Sequence, residues 1–191
     1  ETSALSLNPT IAWGNLSYQE SNTIYRKSIS FNPIAFSNRE AVSVSSFNGR
    51  PLRDISNPSI AVRDGDGADY PTAIAWQAID LVFSEYRPIF VRHPVSTSGG
   101  GSSVYVTTVF NWGTYNAHGR TPTVNVYQTP SGVGFYNPDV SVVWQDDPND
   151  GRYGAFQNVV VANKINGSWN TQTTLSTAGQ YSSVAQGGVS Q

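Results

Sequence analysis

The stretch RDGDGADY, residues 63–70, sets Asp64, Asp66 and Asp69 close together with glycines between them. A hard cation such as Ca²⁺ seeks several oxygen ligands on a flexible loop, and this loop offers three carboxylates. It has no distal bidentate Glu, so it is not an EF-hand. The expectation is a calcium site at Asp64, Asp66 and Asp69. The plain alternative is a solvated turn rich in turn formers. QDDPNDG (145–151) carries Asp146, Asp147 and Asp150 and reads as an ordinary hairpin turn.

A second constellation lies in FNWGTYNAHGR (110–120). Trp112, Tyr115, His118 and Arg120 gather in an irregular, aromatic-rich stretch. Such residues on a loop form a ligand or partner surface. The competing reading is a long connection between strands.

Other chemistry finds little support. His93 and His118 are the two histidines, and neither stands in a metal-ligand spacing. With no Cys, disulfides and thiolate metal sites are excluded. No G-x-S-x-G, Walker or dinucleotide motif is present, and SGGGSS (98–103) precedes no helix that could hold phosphate.

These residues must be positioned by strands. Charged residues make up 13% of the 191 and aromatics 12%, while Gly and Pro punctuate the chain. That mixture favours β-structure, and no window sustains a period of 3.6. Net charge is -2, which gives no pull toward nucleic acid or an anionic membrane. No apolar run is long enough to span a bilayer. There is no Met, even at position 1, so the sequence reads as processed or cut from something longer.

Three segments align: NPTIAW (8–13), YPTAIAW (70–76) and NPDVSVVW (137–144). Each is followed by an aromatic-led strand, at 24–31, 85–92 and 154–165. NPSIAV (57–62) and TPTVNV (121–126) precede two of them, and YSSVAQ (181–186) is a weaker third copy. Self-similarity at a fixed period signals a repeat architecture. The middle unit reads as strands 57–62, 72–78, 86–93 and 103–110. The last reads as 121–128, 139–145, 155–165 and 171–176. Trp13, Trp76 and Trp144 are expected to fill layers between units rather than to stack sugars.

The run from Asn137 to Ser183 resembles the propeller repeats of secreted bacterial proteins, often described as sialidase-like. Those units read P-x-I-A-V, then V-V-W-Q-D, then an aromatic strand and G-x-x-W. The resemblance covers about two thirds of the chain and implies a fold, not an activity. NKINGSWN (163–170) is similar to a degenerate Asp box, with Asn166 at the acidic position and Trp169 packing over the turn. The acidic loop 63–70 also resembles calcium loops of extracellular modules. The sialidase Y-R-I-P motif is only approached by Tyr86-Arg87-Pro88-Ile89. Glu85 beside Tyr86 points to the opposite strand face, so the enzyme's Tyr–Glu pair is not formed.

The expected fold is therefore all-β: a β-propeller segment of about three four-stranded antiparallel blades, roughly 1–62, 63–126 and 127–191. Propellers close with four to eight blades, so the remaining blades or another protein chain would complete the ring. The expected role is a non-catalytic, secreted or cell-surface module that binds protein or glycan. The alternatives are a fragment of a sialidase-like glycoside hydrolase and an oligomeric lectin that closes its own ring. No nucleic-acid partner and no membrane span are expected.

Overall fold

In the computed structural model the described residues are 3–8, 13–31, 33–62, 72–82, 88–96, 102–108, 119–127, 139–146, 158–165, 168–170 and 173–176. They form three antiparallel sheets, each a meander of four main strands. The first holds β1 (Ser3–Asn8), β2 (Trp13–Glu20) and β3 (Thr23–Phe31), with a fourth strand in two pieces, β4 (Ile34–Phe36) and β5 (Glu40–Ala41). The second runs β7 (Arg50–Val62), β8 (Thr72–Asp80), β9 (Ile89–Ser96) and β10 (Ser102–Thr108), with the short β6 (Ser46–Phe47) beside β7. The third runs β11 (Gly119–Tyr127), β12 (Asp139–Asp146) and β13 (Asn158–Ile165). Its fourth strand is again split, into β14 (Ser168–Trp169) and β15 (Thr173–Ser176). Among the described residues no helix is long and apolar enough to cross a membrane.

The four-strand grouping read from the repeats is the one observed in the second and third sheets. The divisions at 62/63 and 126/127 fall at the end of each sheet's first strand. β12 and β13, on either side of the acidic stretch that begins at Gln145, pair from Val140↔Lys164 to Asp146↔Asn158. The first sheet departs from the repeat. β1 ends at Asn8 and β2 begins at Trp13, so Trp13 opens its strand, whereas Trp76 and Trp144 lie mid-strand. NPTIAW is thus a junction between two strands.

The sheets stack face to face. Side chains alternate along a strand, so a sheet covered on both faces is apolar at successive positions. β8 reads TAIAWQAID for this reason. Ile74, Trp76 and Ala78 join Ile24 and Val42 of the first sheet in one core, with Ile60 and Phe90. Ala73 and Ala75 face the other way, with Ile89 and Val91, onto Val140, Val142, Trp144, Val160 and Ala162 of the third sheet. Trp76 stacks on Phe90 across the strand pair, with ring centroids 5.8 Å apart. Trp169 packs against the core between the second and third sheets.

The first strands of neighbouring sheets also lie together: β1 packs on β7, and β7 on β11. The Val124 amide donates to Ser59 Oγ at 3.1 Å across that line. The repeat explains a local strain there. Asn57 before Pro58 has φ 52° and Thr121 before Pro122 has φ 45°. Both occur where the strand register shifts, between Ser56 and Ser59 and between Arg120 and Thr123. A bulge with a left-handed residue bends each first strand at the same place. Asn tolerates that conformation, whereas β-branched Thr does so at a cost. Thr121 is held there by its amide, which donates to Gln77 Oε1 of the second sheet at 2.9 Å. Thr121→Asn keeps this backbone bond and is expected to raise stability by about 0.5–1 kcal/mol, read from the urea midpoint at unchanged slope.

Candidate functional site

The two faces of the first sheet differ. Ile24, Arg26 and Glu40 lie on the face packed against the second sheet. Register puts Leu16, Tyr18, Glu20, Tyr25, Lys27, Ile29 and Phe36 on the opposite, outer face. Tyr18 and Tyr25 pair directly across β2 and β3, and their rings stack with centroids 5.7 Å apart. Arg39, from the segment between β4 and β5, lays its guanidinium 4.7 Å from the Tyr25 centroid. Arg39 also donates to Glu20 Oε2 at 2.7 Å. Glu20 first, and then Tyr25, holds the Arg39 guanidinium even more firmly protonated than usual. The ion pair is exposed and so contributes little to stability. It fixes the guanidinium as the end of a row, Arg39–Tyr25–Tyr18.

Ser3 of β1 stands opposite Tyr18 on the other side of that row, and it is small and exposed. Beyond the row lie Ile34 and Phe36, exposed to 75% and 59%. Tyr and Arg are the residues that most often anchor interfaces, because they present large contact area with a polar tip. The far face of the third sheet is different, since Val143 and Gln145 there are buried. The outer face of the first sheet thus combines half-buried aromatic and charged groups, Tyr18, Tyr25 and Lys27, with exposed Glu20, Ile34 and Phe36, while Ile29 beside Phe36 is buried.

The charged groups between the sheets are arranged to hold the stack together. Glu40 accepts from Arg26 of its own sheet at 2.9 Å and from Arg92 of the second sheet. Burial acts to raise the Glu40 carboxyl, but the Arg92 hydrogen bond and the two arginine charges outweigh it and hold the carboxyl below its ordinary value. Asp80 is fully buried. Its Oδ1 accepts from the Val82 amide at 2.8 Å and its Oδ2 from Arg50 at 3.2 Å. Between the second and third sheets Lys164 Nζ lies 3.1 Å from His93 Nε2, and burial lowers the Lys164 amine below its ordinary range.

Of the residues proposed from sequence to bind a ligand or calcium, Arg120 alone falls within the described part. It stands half-buried near the start of β11, opposite Gln145. Trp112, Tyr115 and His118 lie outside the described residues, as do the calcium candidates Asp64, Asp66 and Asp69. Among the described residues no three His, Asp or Glu side chains gather as a metal ion would need. Sequence reasoning did not single out Tyr18, Tyr25 and Arg39. The signal was present in the short turn after Glu20, which pairs Tyr18 with Tyr25 once Glu20↔Thr23 sets the register.

Comparison with known proteins adds no relative: no protein-family model, curated protein or solved structure matches the chain.

Proposed function

We propose that this chain is a non-catalytic binding and scaffolding module of β-propeller type, from a secreted or cell-surface protein. The outer face of its first sheet is its contact surface for a protein or glycan partner. The observation that carries this reading is the Arg39–Tyr25–Tyr18 row with exposed Ile34 and Phe36 beside it. Large exposed apolar groups rimmed by polar ones mark interaction sites. The propeller reading rests on three meanders stacked face to face with their first strands adjacent, which is the relation between blades around a channel. Calcium at Asp64, Asp66 and Asp69, and ligand contacts from Trp112, Tyr115, His118 and Arg120, belong to the same proposal. Three of the described carboxylates are tied to arginine and offer no free acid–base pair. Glu20 and Glu40 are each committed to arginine, and Asp80 is buried against Arg50.

The test is a binding screen of the purified chain on an oligosaccharide array, alongside its native mass by light scattering. A glycan signal or a discrete dimer is expected. Tyr18→Ala is then expected to weaken that contact about tenfold, the loss typical of one aromatic anchor, with an unchanged circular dichroism spectrum. A Tyr18→Ala, Phe36→Ser double variant that binds like the parent would place the surface elsewhere. Turnover of fluorogenic glycosides would overturn the non-catalytic reading.

A further inference from the structure

An unpaired strand edge is a row of backbone donors and acceptors, and proteins guard it with short strands, charge or Pro. The first and third sheets do so by length. Their fourth strands are split, into β4 and β5 of three and two residues and into β14 and β15 of two and four. The second sheet has no such break. Its fourth strand, β10, runs for seven residues, SSVYVTT, with no charged residue and no Pro. Val, Tyr and Thr all favour extended backbone. β10 pairs with β9 from Ser102↔Ser96 to Thr108↔Phe90 and ends the sheet, so its far edge has no strand partner among the described residues.

The sequence of that edge is symmetric about its centre. From either end β10 runs through two hydroxyl residues and a Val to Tyr105. A two-fold axis at Tyr105 would set two antiparallel copies with Ser102 opposite Thr108, Ser103 opposite Thr107, Val104 opposite Val106 and Tyr105 opposite itself. Hydroxyl pairs and aromatic pairs are among the favourable cross-strand pairs, and no like charges meet. Alternate residues of an antiparallel strand turn their N–H and C=O to the same edge. Either alternation is symmetric about Tyr105, so each backbone group facing out from one copy meets its counterpart in the other. The junction would hold about six to eight ladder hydrogen bonds. A two-fold contact uses the same edge on both copies and closes after two.

We propose that β10 is a self-docking edge: a second copy of this chain pairs its own β10 with it, antiparallel and centred on Tyr105. The occupant is a second copy because the edge matches itself in residue class at every position. The pairing also continues the β9–β10 ladder across the axis and asks for no new element. It uses none of the residues of the Arg39–Tyr25–Tyr18 row, so it stands apart from the contact surface proposed for the first sheet.

The experiment is the native mass of the whole chain by light scattering over a concentration series, with amide hydrogen exchange of the β10 peptide. The parent is expected at twice the chain mass, with β10 exchanging about tenfold more slowly in the dimer than after dilution to monomer. Tyr105→Lys and Tyr105→Glu each set two like charges at the axis and should run as monomers. An equimolar mixture of the two sets opposite charges there and should restore the dimer, a rescue specific to pairing centred on residue 105. Circular dichroism checks that each variant is folded. If neither folds, the concentration dependence of β10 exchange in the parent decides. A monomeric parent overturns the proposal, and protected β10 in that monomer would give the edge to another segment of the same chain. A dimer that both variants retain overturns it, as does a mixture of folded variants that stays monomeric. A dimer lost only in the Tyr18→Ala, Phe36→Ser variant would assign the contact to the first sheet, so failure here and failure of the surface reading are told apart.

Discussion

Trp76→Ala is expected to be the most damaging single substitution in the described part of the chain, costing about 3–5 kcal/mol. Trp76 is fully buried between the first and second sheets, stacked on Phe90, and Phe47 meets Phe90 edge-on at 5.3 Å. Removing the indole leaves a void lined by Ile24, Ile74 and Phe90, which rigid paired strands cannot close. Such a loss is a large share of the roughly 5–15 kcal/mol that holds a typical domain folded. Trp76→Phe should behave otherwise. The indole Nε1 is buried and has no hydrogen-bond acceptor among the described residues. A buried donor without a partner costs about 1–3 kcal/mol, and Phe removes it while keeping most of the ring volume. The two terms oppose each other, so the expected loss is under about 1.5 kcal/mol. Urea titrations of the two variants check this. Equal losses would mean that the indole N–H is satisfied in solution. The location of the damage is a second readout. Trp76 belongs to the core shared with the first sheet, while the core shared with the third is built around Trp144. Exchange protection should fall first at β3 and β8 and last at β12.

The strands were legible because the sheet stack leaves an alternating or doubly apolar record. AIAWQAI in β8 and VSVVW in β12 need two covered faces, and their spacing from NPSIAV and TPTVNV groups them with the first strands. The recurrence of Trp misled at one point. Trp13 matches Trp76 and Trp144 by its preceding Pro, but it opens β2 instead of sitting mid-strand, because β1 has already been formed by residues 3–8. Propensity and spacing do not report which side of a junction pairs. The surface read from sequence and the one seen in the structure also differ. Aromatic loops draw attention by composition, whereas the Arg39–Tyr25–Tyr18 row draws on three separate segments. Arg39 comes to Tyr25 only because the fourth strand of the first sheet is broken between β4 and β5. A register and a break are set by pairing partners, and neither is written in the local sequence. The Asn48-Gly49 turn is the opposite case. Both residues have positive φ, and Asn-Gly between β6 and β7 closes a two-residue hairpin of the type this dipeptide favours.

Glu40 is where the first seam should respond to charge, and the expected effect is asymmetric. Glu40→Ala leaves Arg26 and Arg92 facing each other, and the Arg92 side chain is only 14% exposed. Breaking a buried pair by removing one partner costs about 3–5 kcal/mol, and partial access of water to Glu40 reduces this to about 2. Arg92→Met should cost much less. Glu40 keeps Arg26, while the buried Arg92 Nη1, which has no acceptor among the described residues, is removed with its desolvation penalty. Met is flexible enough to fill the stem's space over Ile74, the residue paired with position 92. The expected order is therefore parent and Arg92→Met close together, with Glu40→Ala well below both. The acid limb supplies an independent check. A carboxyl held below its ordinary value of 4.5 contributes stability that is present above that value and is lost as pH falls through the folded value. The difference between the parent and Glu40→Gln should then be full at pH 7 and shrink below about pH 4. A single transition removed by Glu40→Gln alone would show that the first seam carries the whole acid response.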